Sequence, residues 1–118
     1  MEPIYHITSM DEVAQRLPIY APGAYETDGF IHCSYRHQVR DVANRRFAGR
    51  SGLVLLEINR ARLTAAVVDE NLEGGAELFP HIYGRLPMLA VARIHELPCR
   101  PDGGFELPAT LAIPTTSC

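Results

Sequence analysis

The length, composition and charge of the chain already exclude several classes of protein. It has 118 residues, 47% of them hydrophobic and 21% charged, which predicts one folded domain over residues 1–118 and not a disordered segment. The net charge of −3, without a run of Lys or Arg, argues against general nucleic-acid binding.

Targeting and redox signals point to the cytoplasm. The start of the chain, "MEPIYHITSM", lacks the positive and apolar regions of a signal peptide, and no apolar stretch is long enough to cross a membrane. The three cysteines, Cys33, Cys99 and Cys118, show no C-x-x-C spacing. We therefore expect a cytoplasmic protein with reduced thiols and no membrane partner.

The first predicted elements are a strand and a short helix. "PIYHIT" alternates with a period of two, which predicts a strand with Ile4, His6 and Thr8 on one face. In "SMDE", Ser9 and Glu12 form a capping-box pattern, so a short helix should begin there and end before the next proline.

A loop, a brief strand and a longer helix follow. "YAPGAYETDG" predicts a loop, and "FIHC" predicts a short strand. Ser34 is a good N-cap residue for the next helix, whose apolar residues recur at helical spacing until Gly49.

The second half of the chain predicts mostly strands. "GLVLLEIN", "TAAVVDE" and "MLAVARIHEL" read as strands, the first of them central, and a short last strand is expected around Phe105. The 17 residues "NLEGGAELFPHIYGRLP" predict a long loop of the kind that is often functional or mobile. The tail, about residues 108–118, should be loosely held. A few helices in the first half of the chain, followed mostly by strands, indicate the α+β class.

Three of the five histidines lie between aromatic or β-branched residues: His6 in "IYHIT", His32 in "GFIHCS" and His81 in "FPHIYG". Each could be a buried imidazole with a backbone partner, because an unpaired buried polar group costs about 1–3 kcal/mol. Alternatively, the fold brings the three together at a site, since convergent polar groups on apolar walls are typical of pockets. The second interpretation predicts one concave, histidine-lined pocket.

Other chemistry is less well supported by the sequence. Zinc spacings such as C-x₂₋₄-C or H-E-x-x-H are missing, and the adjacent His32 and Cys33 should point to opposite faces of a strand. We expect no metal, and we expect Cys33 to be a small buried hydrophobe. Glu57 should point outward on an edge strand or line a pocket wall. Glu70 is either a solvent-exposed charge at the end of a strand or a catalytic side chain positioned where the long loop begins.

Several motifs together resemble a known family. "IYHIT", "GFIHCS", "VANRRFAG", "LVLLEINRARL" and "FPHIYGRLPMLAV", within residues 3–98, are similar to a bacterial family called domain of unknown function 952. That family resembles the ADP-ribosyltransferase superfamily in fold. The resemblance implies a small α+β domain of two packed sheets with short helices and a central cleft that takes NAD. It also implies an NAD-utilising glycosyltransferase or hydrolase that uses NAD as a substrate.

The resemblance also implies roles for particular residues. His6 matches a position that contacts the adenosine-side ribose, and "GFIHCS" matches the motif that shapes the nicotinamide pocket. Glu70 is the nearest match to the glutamate that stabilises the positive charge on the breaking ribose, although "VVDE" departs from the usual E-x-E or Q-x-E. The implied catalytic residues are Glu70, His32 and His81, and the implied NAD-binding residues are His6, His32, Ser34, Tyr83 and Arg85.

Two alternatives stay open. An NAD-dependent RNA 2′-phosphotransferase of the same fold uses basic and histidine residues in place of the glutamate. The residues His6, His32, Arg36 and Arg85 would suit its phosphate-bearing substrate. A non-catalytic module that binds a nucleotide or a partner through the same cleft would keep the histidines but would not need Glu70.

Overall fold

The computed structural model of the chain describes residues 2–72 and 75–112, so Cys118 lies outside the described residues. The described strands are β1 (Ile4–Ser9), β2 (Ile19–Tyr20), β3 (Ile31–His32), β4 (Leu53–Ile58), β5 (Ala66–Glu70), β6 (Phe79–Tyr83), β7 (Leu86–Pro87) and β8 (Val91–Leu97). The described α-helices are α1 (Met10–Gln15), α2 (Tyr25–Asp28) and α3 (Arg36–Arg46), and 3₁₀ turns cover Arg60–Arg62, Met88–Ala90 and Ala109–Ala112. No described helix is long and apolar enough to cross a membrane.

The first sheet has the strand order β1-β4-β8 and is antiparallel. All six residues of β4 are buried, as its continuous apolar sequence predicts for a central strand. Successive side chains along β4 point to opposite faces of the sheet, so they pack into two different hydrophobic cores. Leu56 belongs to one core, and Leu55 belongs to the other, which α3 covers.

Two smaller antiparallel sheets complete the architecture, one with the order β3-β6-β5 and one pairing β2 with β7. The α+β class is therefore confirmed. The described part of the chain has three sheets where two were predicted. The additional sheet is the antiparallel pair of β2 and β7, in which Ile19 lies opposite Pro87.

The two longer helices begin at different kinds of cap. The predicted cap of α1 is confirmed, since the Glu12 N–H donates to the Ser9 hydroxyl over 3.1 Å. The predicted cap of α3 is wrong. Its N-cap residue is Tyr35, whose N–H donates to the Gln38 side chain, while Ser34 is still extended and exchanges two backbone hydrogen bonds with Tyr5.

Three predicted segments differ from the structure. The predicted long loop contains β6 and β7, so His81 lies in a strand with neighbours on both edges and not in a loop. The predicted loop before "FIHC" contains α2, which ends at Gly29 with a φ of 81°. Phe105 forms no strand; it is fully buried, and its N–H donates to Asn44.

The end of the described chain packs against the first sheet. Leu111 is buried in the core that α3 covers, while residues 113–118 of the tail that was predicted to be loose lie outside the described residues. Glu57 is also buried, not outward-facing, and accepts a hydrogen bond from Nε2 of His95 over 2.7 Å. Because Nε2 donates, Nδ1 of a neutral His95 ring accepts from the Thr110 hydroxyl, 2.6 Å away.

Replacing Thr110 by Val should therefore lower the free energy of unfolding by about 1–2 kcal/mol, because the buried Nδ1 of His95 loses its donor. Urea denaturation measures this change. Thr110→Ser, which keeps the hydroxyl, should remain close to the wild type. Equal loss in Thr110→Ser, which keeps the hydroxyl, would show that the hydrogen bond to His95 is not the cause of the effect.

Candidate functional site

A cleft of about 480 Å³ runs along the free edge of β1. At this edge the described residues make one backbone bridge, between Tyr5 and Ser34, and the strand then diverges from the sheet that contains β3. The polar side chains that line the cleft are His6, Thr8, Ser9, Glu12, His32, Ser34, Arg46, Arg50, Glu70, Asn71 and His81. Apolar groups, Ile7 and Phe79 among them, complete its walls.

The backbone of β1 contributes polar groups to the same cleft. The N–H and C=O of Tyr5 point away from β4, since they bond to Ser34. Along a strand these groups point to the same edge at every second residue. The N–H and C=O of Ile7, a residue that lines the cleft, therefore point toward it as an adjacent donor and acceptor.

His6 is held at both ring nitrogens. Nδ1 lies 2.6 Å from the carbonyl oxygen of His32, and Nε2 lies 2.8 Å from the Tyr20 hydroxyl, which also bonds Thr8. Because a carbonyl only accepts, Nδ1 carries the proton. Burial lowers the pKa of His6 to about 4, so the ring is neutral at pH 7. His6 thus connects β1 to β3 and β2, in agreement with the structural interpretation of this histidine.

His32 and His81 lie directly opposite each other on β3 and β6. Their ring centroids are 5.2 Å apart in an edge-on arrangement, and Phe30 stacks on His81 at 4.2 Å. Each imidazole has its own carboxylate. Nε2 of His32 donates to Asp28 over 2.9 Å, and Nδ1 of His81 donates to Glu70 over 2.9 Å. The two rings are therefore fixed in tautomer and orientation at the cleft wall.

Glu70, at the end of β5, is the most constrained anion of the cleft. Its Oε1 accepts hydrogen bonds from the Tyr83 hydroxyl at 2.6 Å and from His81 at 2.9 Å. These two hydrogen bonds, of which the one from Tyr83 has the larger effect, hold the pKa of Glu70 below its ordinary value. Both of them end on Oε1. Oε2 is therefore the oxygen that this arrangement leaves for a ligand.

The expectation that three histidines line one concave pocket is confirmed, and Glu70 and Ser34 line the same cleft. Tyr83 does not line it, but it orients Glu70. Arg85 and Arg36 are also outside the lining. Arg85 instead pairs with Glu26 at 3.2 Å and stacks over the Tyr25 ring.

Sequence reasoning missed several partners of these residues: Thr8, Tyr20, Asp28 and Phe30. Asp28 lies four residues before His32, but that spacing is informative only once α2 is known to form. Arg46 and Arg50 belong to "RRFAGR", the densest basic stretch of the sequence, and both line the cleft.

Thiol and metal chemistry find little support in the described residues. Burial raises the pKa of the Cys33 thiol far above its ordinary value, which opposes formation of the nucleophilic thiolate. The described residues contain no group of three or more His, Cys, Asp or Glu side chains that could hold a metal ion.

Comparisons with known proteins place the chain in a family. It is similar to protein CC0527 from Caulobacter crescentus: the X-ray structure shares 32% identity and a TM-score of 0.81, covering 94% of this chain and 99% of that chain. The solution NMR structure of CC0527 gives 33% identity and a TM-score of 0.74, covering 93% and 94%. No curated protein matches the chain significantly. Residues 7–94 match the profile described as "Protein of unknown function (DUF952)", and the chain therefore belongs to the DUF952 family.

Proposed function

We propose that the cleft binds NAD or ADP-ribose and that the protein breaks the nicotinamide–ribose bond of NAD, with transfer of the ADP-ribose group to water or to another acceptor. In this proposal the protein is a member of the ADP-ribosyltransferase-like superfamily. The observation that carries this proposal is the fixed carboxylate of Glu70 at the cleft wall, held through Oε1 by Tyr83 and His81. A preorganised anion is what this reaction needs, because positive charge develops on the ribose as the bond breaks.

The reaction can be followed with the residues of the cleft. The electron pair of the C–N glycosidic bond leaves with nicotinamide, and the anomeric carbon becomes cationic next to Oε2 of Glu70. Water or an acceptor hydroxyl then forms the new bond to that carbon and gives up a proton. Since Nδ1 of His81 donates to Glu70, a neutral His81 has its lone pair on Nε2, which makes this nitrogen the candidate base.

Recognition of nicotinamide would use the β1 backbone. A carboxamide has a donor and an acceptor next to each other, and the N–H and C=O of Ile7 form the complementary pair at the cleft edge. His81, which lines the cleft and stacks on Phe30 at 4.2 Å, offers an aromatic ring for contact with nicotinamide. His6 has both nitrogens occupied, so we assign it a structural role and not the ribose contact.

A second candidate function is the NAD-dependent phosphotransferase. The paired imidazoles of His32 and His81, with Arg46 and Arg50 in the same cleft, favour a phosphate-bearing substrate. The two functions differ in their dependence on Glu70, since the phosphotransferase uses basic and histidine residues in place of the glutamate. A module that only binds a nucleotide would bind without turnover.

Ligand binding itself is the first test. At ADP-ribose concentrations ten times its Kd, the folded state should gain about 1.4 kcal/mol, which raises Tm by about 4–8 °C for a domain of this size. Differential scanning fluorimetry with NAD and ADP-ribose measures the shift, and free ribose serves as the control ligand. No shift at millimolar NAD or ADP-ribose would contradict the proposal.

A further inference from the structure

We propose that the part of the cleft next to the end of α3 is a phosphate subsite, in which Arg46 and Arg50 hold the diphosphate of a nucleotide. This inference rests on the proposed function in one respect, that the same cleft holds the nucleotide. It adds an assignment for two residues to which the proposed reaction gives no role.

The two ends of the cleft are set by the two ends of β1. Tyr5 bonds to Ser34, next to His32, at one end. At the other end, the Met10 N–H donates to the carbonyl of Gly52 over 3.1 Å, which brings the chain just after Arg50 beside the end of β1. From Tyr5 to Ser9 the strand advances four residues, or about 13 Å. Arg50 therefore lies toward the Ser9 end of β1, whereas His32 lies toward the Tyr5 end.

The cationic end is built from the last turn of α3 and the turn that follows. Arg46 and Arg50 both line the cleft, and the guanidinium of Arg50 lies over the Phe47 ring, 5.1 Å from its centroid. Arg45 lines an adjoining cavity of about 360 Å³ that shares Arg46, Asn71 and Phe79 with the cleft and is also lined by the carboxylates of Asp41 and Glu77. Glu12, the carboxylate at this end, is paired with Arg16 at 3.3 Å, so part of its negative charge is compensated.

Stabilisation of the helix end is the simpler explanation of this basic cluster. Cations near the C-terminus of a helix interact favourably with its dipole, typically by about 0.3–1 kcal/mol. That effect does not require the side chains to line a cavity. The position of both arginines in the cleft wall, with an aromatic ring under one of them, is what points to a ligand.

The chemistry of the subsite selects a phosphate group. Guanidinium groups remain charged at any physiological pH and bind phosphate oxygens through paired N–H donors. A ligand that carries both a ribosyl group and a diphosphate, such as ADP-ribose, matches a cleft that holds both a carboxylate and guanidinium groups. A free sugar or a nucleoside lacks the part that this end would bind.

The test compares ligands with and without phosphate groups. It also compares variants that remove arginines inside and outside the proposed subsite. Isothermal titration calorimetry should show that the wild type binds ADP and inorganic pyrophosphate more tightly than adenosine. The double variant Arg46→Gln/Arg50→Gln should bind ADP about 10- to 100-fold more weakly, since charge-assisted hydrogen bonds are lost, while its affinity for adenosine is unchanged. Binding of ADP but not of pyrophosphate would show that the subsite requires the nucleoside as well.

Arg40→Gln is the matched control. Arg40 lies on the same helix, is paired with Glu106 at 3.3 Å and does not line the cleft, so this variant loses a positive charge without touching the proposed subsite. Its ADP affinity should stay near the wild-type value. The subsite is refuted if the double variant keeps wild-type ADP affinity, if Arg40→Gln weakens ADP equally, or if the wild type binds neither ADP nor pyrophosphate. Intact, arginine-dependent ADP binding without nicotinamide release would reject the proposed reaction alone.

Discussion

The Glu70→Gln protein should release nicotinamide from NAD about 100- to 1000-fold more slowly than the wild type, with nearly unchanged affinity for NAD. Gln has the size of Glu and keeps one oxygen acceptor, so the hydrogen bond from Tyr83 can still form. The substitution removes the negative charge that opposes the developing cation. The loss should therefore appear in kcat and not in binding, because the charge acts mainly in the transition state.

Two measurements separate these effects: nicotinamide release under saturating NAD, and NAD affinity by calorimetry. Glu26→Gln is a suitable control, since Glu26 is a solvent-facing carboxylate that pairs with Arg85 outside the cleft. Glu26→Gln should retain wild-type turnover. Full activity of Glu70→Gln would show that Glu70 is not the catalytic anion, and the phosphotransferase-like and non-enzymatic functions would then be the remaining candidates.

The parts of the fold that local sequence patterns determine were predictable. The alternation of β1, the capping pattern of α1 and the continuous apolar run of β4 each depend on residues close in sequence, and each is found in the structure. β6 was missed because Pro80 and Gly84 punctuate "FPHIYG" like a loop. Its strand conformation depends on pairing with β5 and β3, which are distant along the chain. Ser34 failed as a helix cap for the same reason, since its pairing with Tyr5 keeps it extended.

The candidate site shows a similar division. The setting of each histidine between apolar residues was visible, and it correctly predicted that they share a cavity. Their partners were not visible, because each partner is chosen by tertiary register: Glu70 reaches His81 only through the pairing of β5 with β6. The role of His6 could not be read from "IYHIT" either. It depends on the positions of Tyr20 and of the His32 carbonyl, which no local pattern encodes.

The second large effect expected is a loss of stability in mild acid that depends on His6. The native state holds this ring neutral, with a pKa lowered to about 4 by burial, whereas in the unfolded chain it has the ordinary value near 6.5. Between these two pKa values the unfolded state binds the proton and the native state does not. The stability from this group is therefore fully present above about pH 6.5 and is lost as the pH falls toward 4, by about 3 kcal/mol in all.

Urea unfolding between pH 7.5 and 4.5 measures this dependence, and the informative quantity is the slope of the unfolding free energy against pH. His6→Gln should be less stable than the wild type at pH 7.5, because the contacts to Tyr20 and the His32 carbonyl are weakened. Its slope should nevertheless be shallower, since the group that protonates on unfolding is gone. His37→Gln removes an imidazole that is 73% exposed and should leave the slope unchanged. A wild-type slope in His6→Gln would show that folding does not lower the pKa of His6, which would contradict this prediction.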